Sequence, residues 1–165
     1  MAVTTKEILY MLIKEFGLKR TQLDERVRLQ KILYLLQSFG IVKLGYGFSW
    51  YKHGPYSQDL VYDAYEVFKD EDNYREKTKT YCFNKSTNEK INQFRTAFGS
   101  ILNDPQNLEL VASIRFIRNT WYPDLDRLNV FEHLQMLKTQ FFDGSKITKP
   151  AAQRAFDICQ KLSRN

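Results

Sequence analysis

The stretch from residue 24 to residue 39 limits the possible folds more than any other part of the chain. After a polar first turn it is apolar on most sides of a helix, and Gly40 follows it. A helix without a polar face is buried among other elements. Its apolar residues are Val27, Ile32, Leu33, Leu35, Leu36 and Phe39. We therefore predict a central, buried helix over residues 24–39.

Six further helices are predicted from apolar residues at helical spacing after a capping signal. Their approximate spans are 4–16, 58–68, 86–102, 107–117, 128–137 and 148–162. Capping boxes at Thr4–Glu7 and Ser86–Glu89 mark two of the starts, and Asn107 is the predicted start of a third. The highly charged segment 70–80 is predicted to be a surface loop.

The pattern after Gly40 changes from helical spacing to aromatic alternation. Tyr46–Lys52 and Thr80–Phe83 are therefore predicted strands, which pair as a small antiparallel ribbon. Gly54 and Pro55 form the corner after the first strand, and Ser57 caps the next helix. The predicted fold is mainly α, with about seven helices around a buried central helix. The two-stranded antiparallel ribbon resembles the wing of a winged helix, and residues 1–165 form one domain.

Composition narrows the cellular setting. The 165 residues are 43% hydrophobic, which is enough for one core without disulfides or a metal. The two cysteines lack CxxC spacing, and the charges within residues 1–16 fit neither a secretory signal nor a membrane span. We predict a reduced, cytoplasmic protein that does not enter the membrane.

Catalytic and metal-binding motifs are missing from the sequence. His53 and His133 are its only histidines, and it has no HExxH motif, no glycine-rich phosphate loop and no GxSxG motif. His53 as a general base would need a partner that the sequence does not identify, so we interpret it as an imidazole bonded to the backbone of its turn. The prediction is a non-enzyme without cofactor or metal.

Positive charge is concentrated at the start of the chain. The net charge is +6, and residues 1–55 carry nine Lys or Arg against four Asp or Glu. Several of these cations lie near the start of the central helix, and the nearby Trp50 and Tyr51 are able to stack on bases. This pattern fits nucleic acid, a protein partner with an acidic face, or a solvated surface with a basic bias. All three alternatives stay open at this point.

Two motifs carry a resemblance to a known family. The first is "RVRLQKILYLLQSFG" followed by "GYGFSWYKHGPYSQDL", and the second, a looser one, comprises "LELVASIRFIRN" and "ITKPAAQRAFDICQKL". Together they resemble the YwgA-like family, small bacterial domains related in appearance to the Panacea, or SocA-like, antitoxin domains and to the C-terminal domain of the DarG antitoxin. The resemblance covers most of the chain.

The resemblance implies a non-catalytic helical domain that binds and restrains another macromolecule. Its expected partner is a toxin or effector protein of a toxin–antitoxin or phage-defence system. Direct binding of DNA or RNA by a winged-helix-like element is the alternative function. The residues predicted to contact the partner are Arg26, Arg28, Tyr46, Trp50, Tyr51, Lys52, His53 and Tyr56.

Overall fold

The computed structural model describes residues 2–139, 142–143 and 146–163. Within these ranges the chain is mainly helical with small antiparallel β-ribbons, which confirms the predicted fold class. The helices are α1 (Thr5–Phe16), α2 (Leu23–Ser38), α3 (Gln58–Lys69), α4 (Glu71–Thr78), α5 (Lys85–Phe98), α6 (Pro105–Thr120), α7 (Val130–Met136) and α8 (Lys149–Ser163). The strands are β1 (Ser49–Tyr51), β2 (Gly54–Tyr56), β3 (Lys138–Thr139) and β4 (Phe142–Asp143).

Helix α2 lies in the core, as its sequence predicts. Ile32, Leu33, Tyr34 and Leu35 cover one full helical turn, and all four are buried. Helix α2 packs against α6, and α6 packs against α8, so that these three helices build much of the core. Helices α3 and α4 cover α1.

Two of the predicted capping interactions are present at the starts of helices. At α1, the Thr4 hydroxyl accepts a hydrogen bond from the Glu7 amide at 3.2 Å, and the Glu7 carboxylate accepts one from the Thr4 amide at 3.1 Å. At α3, the Ser57 hydroxyl accepts from the Leu60 amide at 3.3 Å. Each cap gives a partner to a first-turn amide that the helix cannot satisfy itself.

Two other helix starts were predicted at the wrong residue. Helix α5 is capped by Asn84, whose side chain accepts from the Thr87 amide at 2.8 Å, and the predicted box at Ser86 lies inside the helix. Helix α6 is capped by Asp104, not by Asn107, and Pro105 occupies its first turn. Proline suits that position because the first turn needs no amide donor there.

Segment 70–80 is not the predicted loop, because most of it forms α4. Arg75 pairs with Asp72 at 2.6 Å, three residues before it, which is a spacing that stabilises helices. The Tyr74 ring also stacks on Tyr10 of α1, with 6.3 Å between ring centroids. Helix α4 raises the number of α-helices in the described ranges from the predicted seven to eight.

The predicted ribbon exists, but its second strand was assigned wrongly. Strand β1 pairs with β2 across a two-residue turn at Lys52–His53, so that Tyr51 lies opposite Gly54. Residues 80–83, the predicted partner, lie outside the strands of the structure. The hairpin is therefore local, and it joins the loop after α2 to the start of α3.

Two further observations concern the expected cellular setting. In the part of the chain that the structure describes, no helix combines the length and the apolar character needed to cross a bilayer. Cys82 is exposed, Cys159 is buried, and both are free thiols.

Candidate functional site

Two buried or half-buried glutamines of α2 hold the backbone that leads into and out of the β1–β2 hairpin. The Gln30 side chain donates to the Ser57 carbonyl and accepts from the Ser57 amide, both at 3.0 Å. Gln37, two turns later, donates to the Tyr46 carbonyl at 2.7 Å and accepts from its amide at 3.0 Å. Each carboxamide thus pairs with both the backbone N–H and the backbone C=O of one residue, as a neighbouring strand would. The hairpin is fixed on α2 at both ends.

Lys31 of α2 holds the second strand of the hairpin, β2. Its ammonium donates to the Pro55 carbonyl at 2.7 Å, and the residue is only 1% exposed. Burial lowers the pKa of Lys31 to about 8, against a smaller opposing effect of Glu109. The amine is therefore a structural donor beneath the strand.

Glu109 of α6 also lies beside the turn of the hairpin. One of its carboxylate oxygens is 3.4 Å from Nδ1 of His53. We interpreted this imidazole as a partner of the turn backbone, whereas the structure brings it to a carboxylate on another helix. The sequence could not indicate this pair, because fifty-six positions separate the two residues.

Two of the predicted contact residues hold the fold together. Tyr46 is buried, and its hydroxyl donates to Asp63 at 2.7 Å. Burial and this carboxylate raise the pKa of Tyr46 well above its ordinary value. Arg28 is half-buried and donates to the carbonyls of Phe16 at 2.9 Å and Leu102 at 2.5 Å. Arg28 therefore links α2 to the end of α1 and to Leu102, and Tyr46 links the loop after α2 to α3.

Trp50 lies on the side of the hairpin that faces α6. Its ring is half-buried, with centroids 5.7 Å from Phe116 and 5.3 Å from Trp121. Aromatic pairs at these distances add stability beyond the area that they bury. Trp50 thus attaches the hairpin to the end of α6.

The other five predicted residues, Arg26, Tyr51, Lys52, His53 and Tyr56, line a single cavity of about 430 Å³, which we call the hairpin groove. Helix α2, helix α3 and the hairpin form its walls. Its remaining lining residues are Arg20, Leu23, Val27, Leu29, Gln30, Lys31, Val61 and Ala64. The volume falls within the range of ~300–1,000 Å³ that is typical of ligand pockets.

The groove combines tyrosines with cations. The rings of Tyr51 and Tyr56 are 5.3 Å apart at an angle of 36°, and Tyr51 is 49% exposed. Across the groove, the guanidinium of Arg20 lies 4.9 Å from the ring centroid of Tyr65, an exposed residue of α3. Tyrosine and arginine are enriched where proteins bind each other.

Sequence reasoning missed the apolar floor of the groove. Leu23 and Val27 lie one turn apart on the same side of α2, and Val61 and Ala64 do so on α3. Leu23 is 53% exposed, a high value for leucine in a lining position. The spacing was visible in the sequence, but only the fold shows that these two helical faces meet beneath the hairpin.

Comparisons with known proteins add no relative. No protein-family model matches the chain, and neither a curated protein nor a solved structure does. In the described ranges, no three His, Cys, Asp or Glu side chains form a group able to hold a metal ion.

Proposed function

We propose that this chain is a non-catalytic protein-binding module whose partner docks on the hairpin groove. Its resemblance to the YwgA-like and Panacea domains suggests the class of partner, a toxin or effector of a bacterial toxin–antitoxin or phage-defence system. The observation that carries the proposal is the convergence of five predicted contact residues on one groove.

The composition of the groove supports a protein partner. Interface residues that dominate binding energy are enriched in tyrosine and arginine and surround well-packed pockets. Here Tyr51, Tyr56, Arg20 and Arg26 surround a floor of aliphatic side chains. Tyrosine buries a large area at a low cost in conformational entropy, so the hairpin offers a preformed contact surface.

Nucleic acid is the second candidate, because the paired Tyr51 and Tyr56 rings and the nearby cations resemble a base-stacking platform. Two observations favour protein. Arg28 and Lys31, two of the cations near the start of the central helix, donate to backbone carbonyls inside the fold. The floor of the groove is aliphatic, and such a floor adds nothing to the phosphate contacts that dominate affinity for nucleic acid.

The proposal predicts that Tyr51→Ala combined with Lys52→Glu weakens partner binding by about 2 kcal/mol, or about thirtyfold in Kd. The loss follows from removing an exposed ring and reversing a charge at the edge of the groove. The partner is first identified by a pull-down from the native host with the neighbouring genes expressed, and Kd is then measured by titration calorimetry.

A matched variant controls for unspecific effects of the same chemistry. Tyr81→Ala with Lys43→Glu changes an exposed ring and a lysine in a second hollow, which shares no lining residue with the hairpin groove. This control should bind normally, and both variants should keep the wild-type melting temperature. Equal affinity of the groove variant and the wild type would place the interface elsewhere.

The nucleic-acid alternative makes a different prediction. Phosphate contacts release counterions, so affinity for an oligonucleotide would fall steeply as salt is added. A fluorescence titration with single-stranded and duplex DNA at low salt tests this directly. Tight binding that falls steeply with salt and is lost in the groove variant would favour the alternative over a protein partner.

A further inference from the structure

We propose that the hairpin groove recognises an acidic linear segment of the partner, with one aliphatic or aromatic side chain of that segment inserted on the apolar floor. The inference rests on the proposed function and specifies the chemistry of what is bound. It is drawn from the charge, the shape and the rigidity of the groove.

The charged residues that line the groove are all Lys or Arg. Its thirteen lining residues include the cations Arg20, Arg26, Lys31 and Lys52, and none of the thirteen is Asp or Glu. Arg26 and Lys52 are exposed, and Arg20 is half-buried. Complementary charge speeds association and rejects wrong partners, so a bound segment should carry carboxylates.

Two acidic residues, Glu109 and Asp59, lie close to the groove but are not among its lining residues. Glu109 approaches from the α6 side, where it pairs with His53 and acts on Lys31 beneath the strand. Asp59 lines a neighbouring hollow together with Tyr51 and Tyr56. The carboxylates of a bound segment would therefore meet the cationic rim formed by Arg20, Arg26 and Lys52.

The apolar floor of the groove determines which kind of side chain is inserted from the bound segment. Leu23, Val27, Val61 and Ala64 present aliphatic surface at the bottom and edge of a cavity of about 430 Å³. Burying an apolar side chain there gains free energy in proportion to the area removed from water. One large side chain fits this space, and its neighbours along the segment would lie at the rim.

The rim is held in place before binding. The Arg20 guanidinium lies over the Tyr65 ring at 4.9 Å, which orients its planar fork of donors. On the opposite side, the Gln30 and Lys31 bonds fix the backbone of the hairpin that carries Lys52. Preorganised groups lose less entropy on binding, which suits recognition of a short segment.

The test is selection of a random peptide library, displayed on phage, against the full chain. We expect the selected pool to be enriched in Asp and Glu around one aliphatic or aromatic residue. A synthetic peptide of the selected sequence should lose about tenfold or more in affinity against Arg26→Glu with Lys52→Glu, and likewise when its own acids become amides. Lys43→Glu with Lys90→Glu, in the second hollow, is the matched control and should bind normally.

Several outcomes would overturn the inference. A pool enriched in Lys and Arg, a pool without enrichment, or peptides insensitive to the Arg26 and Lys52 changes would each do so. So would an oligothymidylate that displaces the peptides and binds the groove more tightly than any of them. If the intact partner still loses affinity for the Tyr51→Ala and Lys52→Glu variant in such a case, the proposed function stands and only the acidic segment is wrong.

Discussion

Replacing Gly54 with alanine is expected to lower the free energy of unfolding by about 3 kcal/mol. Two costs combine at this position. Gly54 has φ +85°, a backbone conformation that residues with a Cβ resist at a cost of ~1–2 kcal/mol. An added Cβ would also lie 2.7 Å from the Ser113 hydroxyl, closer than van der Waals contact allows. Either the Ser113 side chain would have to adopt another rotamer or the hairpin would have to move away from α6.

Two matched variants separate these costs. Gly45→Ala meets a similar strain, at φ +78°, but its Cβ would have no atom within 4 Å, so it should cost only ~1–2 kcal/mol. Ser113→Ala combined with Gly54→Ala removes the clashing hydroxyl and should restore part of the loss. Urea unfolding monitored by circular dichroism measures all the variants. If Gly54→Ala costs no more than Gly45→Ala, the close packing of the hairpin on α6 is wrong.

The second large effect concerns Lys31 and appears only with pH. Between pH 8 and pH 10.5, the wild type should gain about 3 kcal/mol of stability relative to Lys31→Met. The pKa of Lys31 is about 8 in the fold, against an ordinary value of 10.5. In that interval the unfolded chain binds a proton that the folded chain does not, so raising the pH favours the fold. Methionine has nearly the same length and no proton to exchange.

Two other buried groups also titrate at high pH, and they change the free energy of unfolding in the opposite direction. Burial raises the pKa of Tyr34 and of Cys159 to about 12, so these two groups destabilise the fold as the pH rises above their ordinary values. Both groups are present in the wild type and in Lys31→Met, so their contributions cancel when the free energies of unfolding of the two proteins are subtracted. Lys43→Met, at an exposed lysine, is the control for the same change of side chain outside the core. If the difference in free energy of unfolding between the wild type and Lys31→Met does not change with pH, the Lys31 amine stays accessible to water in the fold.

The elements that follow local rules could be predicted from the sequence. The Thr4–Glu7 box, the Ser57 cap and the apolar α2 each depend on residues within a few positions, and each is confirmed. Helix α4 was missed because its composition resembles a loop. The contact that holds it on the fold joins Tyr74 to Tyr10, which lies on another helix.

The pairing of the ribbon and the position of the groove required the fold. The sequence indicated a strand near Trp50 but gave it the wrong partner, because Gly54 and Pro55 were interpreted as the corner, whereas the structure places them in β2. The structure shows that side chains of α2 hold this backbone in place of a second neighbouring strand. For the same reason, Gln30 and Lys31 could be recognised as a motif but not as the supports of the hairpin.

The groove itself was not predicted. Arg26, Tyr51, Lys52, His53 and Tyr56 were predicted to contact a partner, and in the structure they line one cavity. Its α3 wall was missed, because no local pattern shows which face of α3 meets α2. Whether these five residues contact a partner stays a prediction.

Site-specific photocrosslinking tests the central claim, that the partner docks on the hairpin groove, most directly. Tyr51→p-benzoylphenylalanine and, separately, Tyr81→p-benzoylphenylalanine place the same crosslinker in the groove and in the second hollow, at two exposed tyrosines. After irradiation in the native host with the neighbouring genes expressed, position 51 should yield a covalent adduct with one protein and position 81 should not. An adduct at position 81 together with none at position 51 would contradict the account.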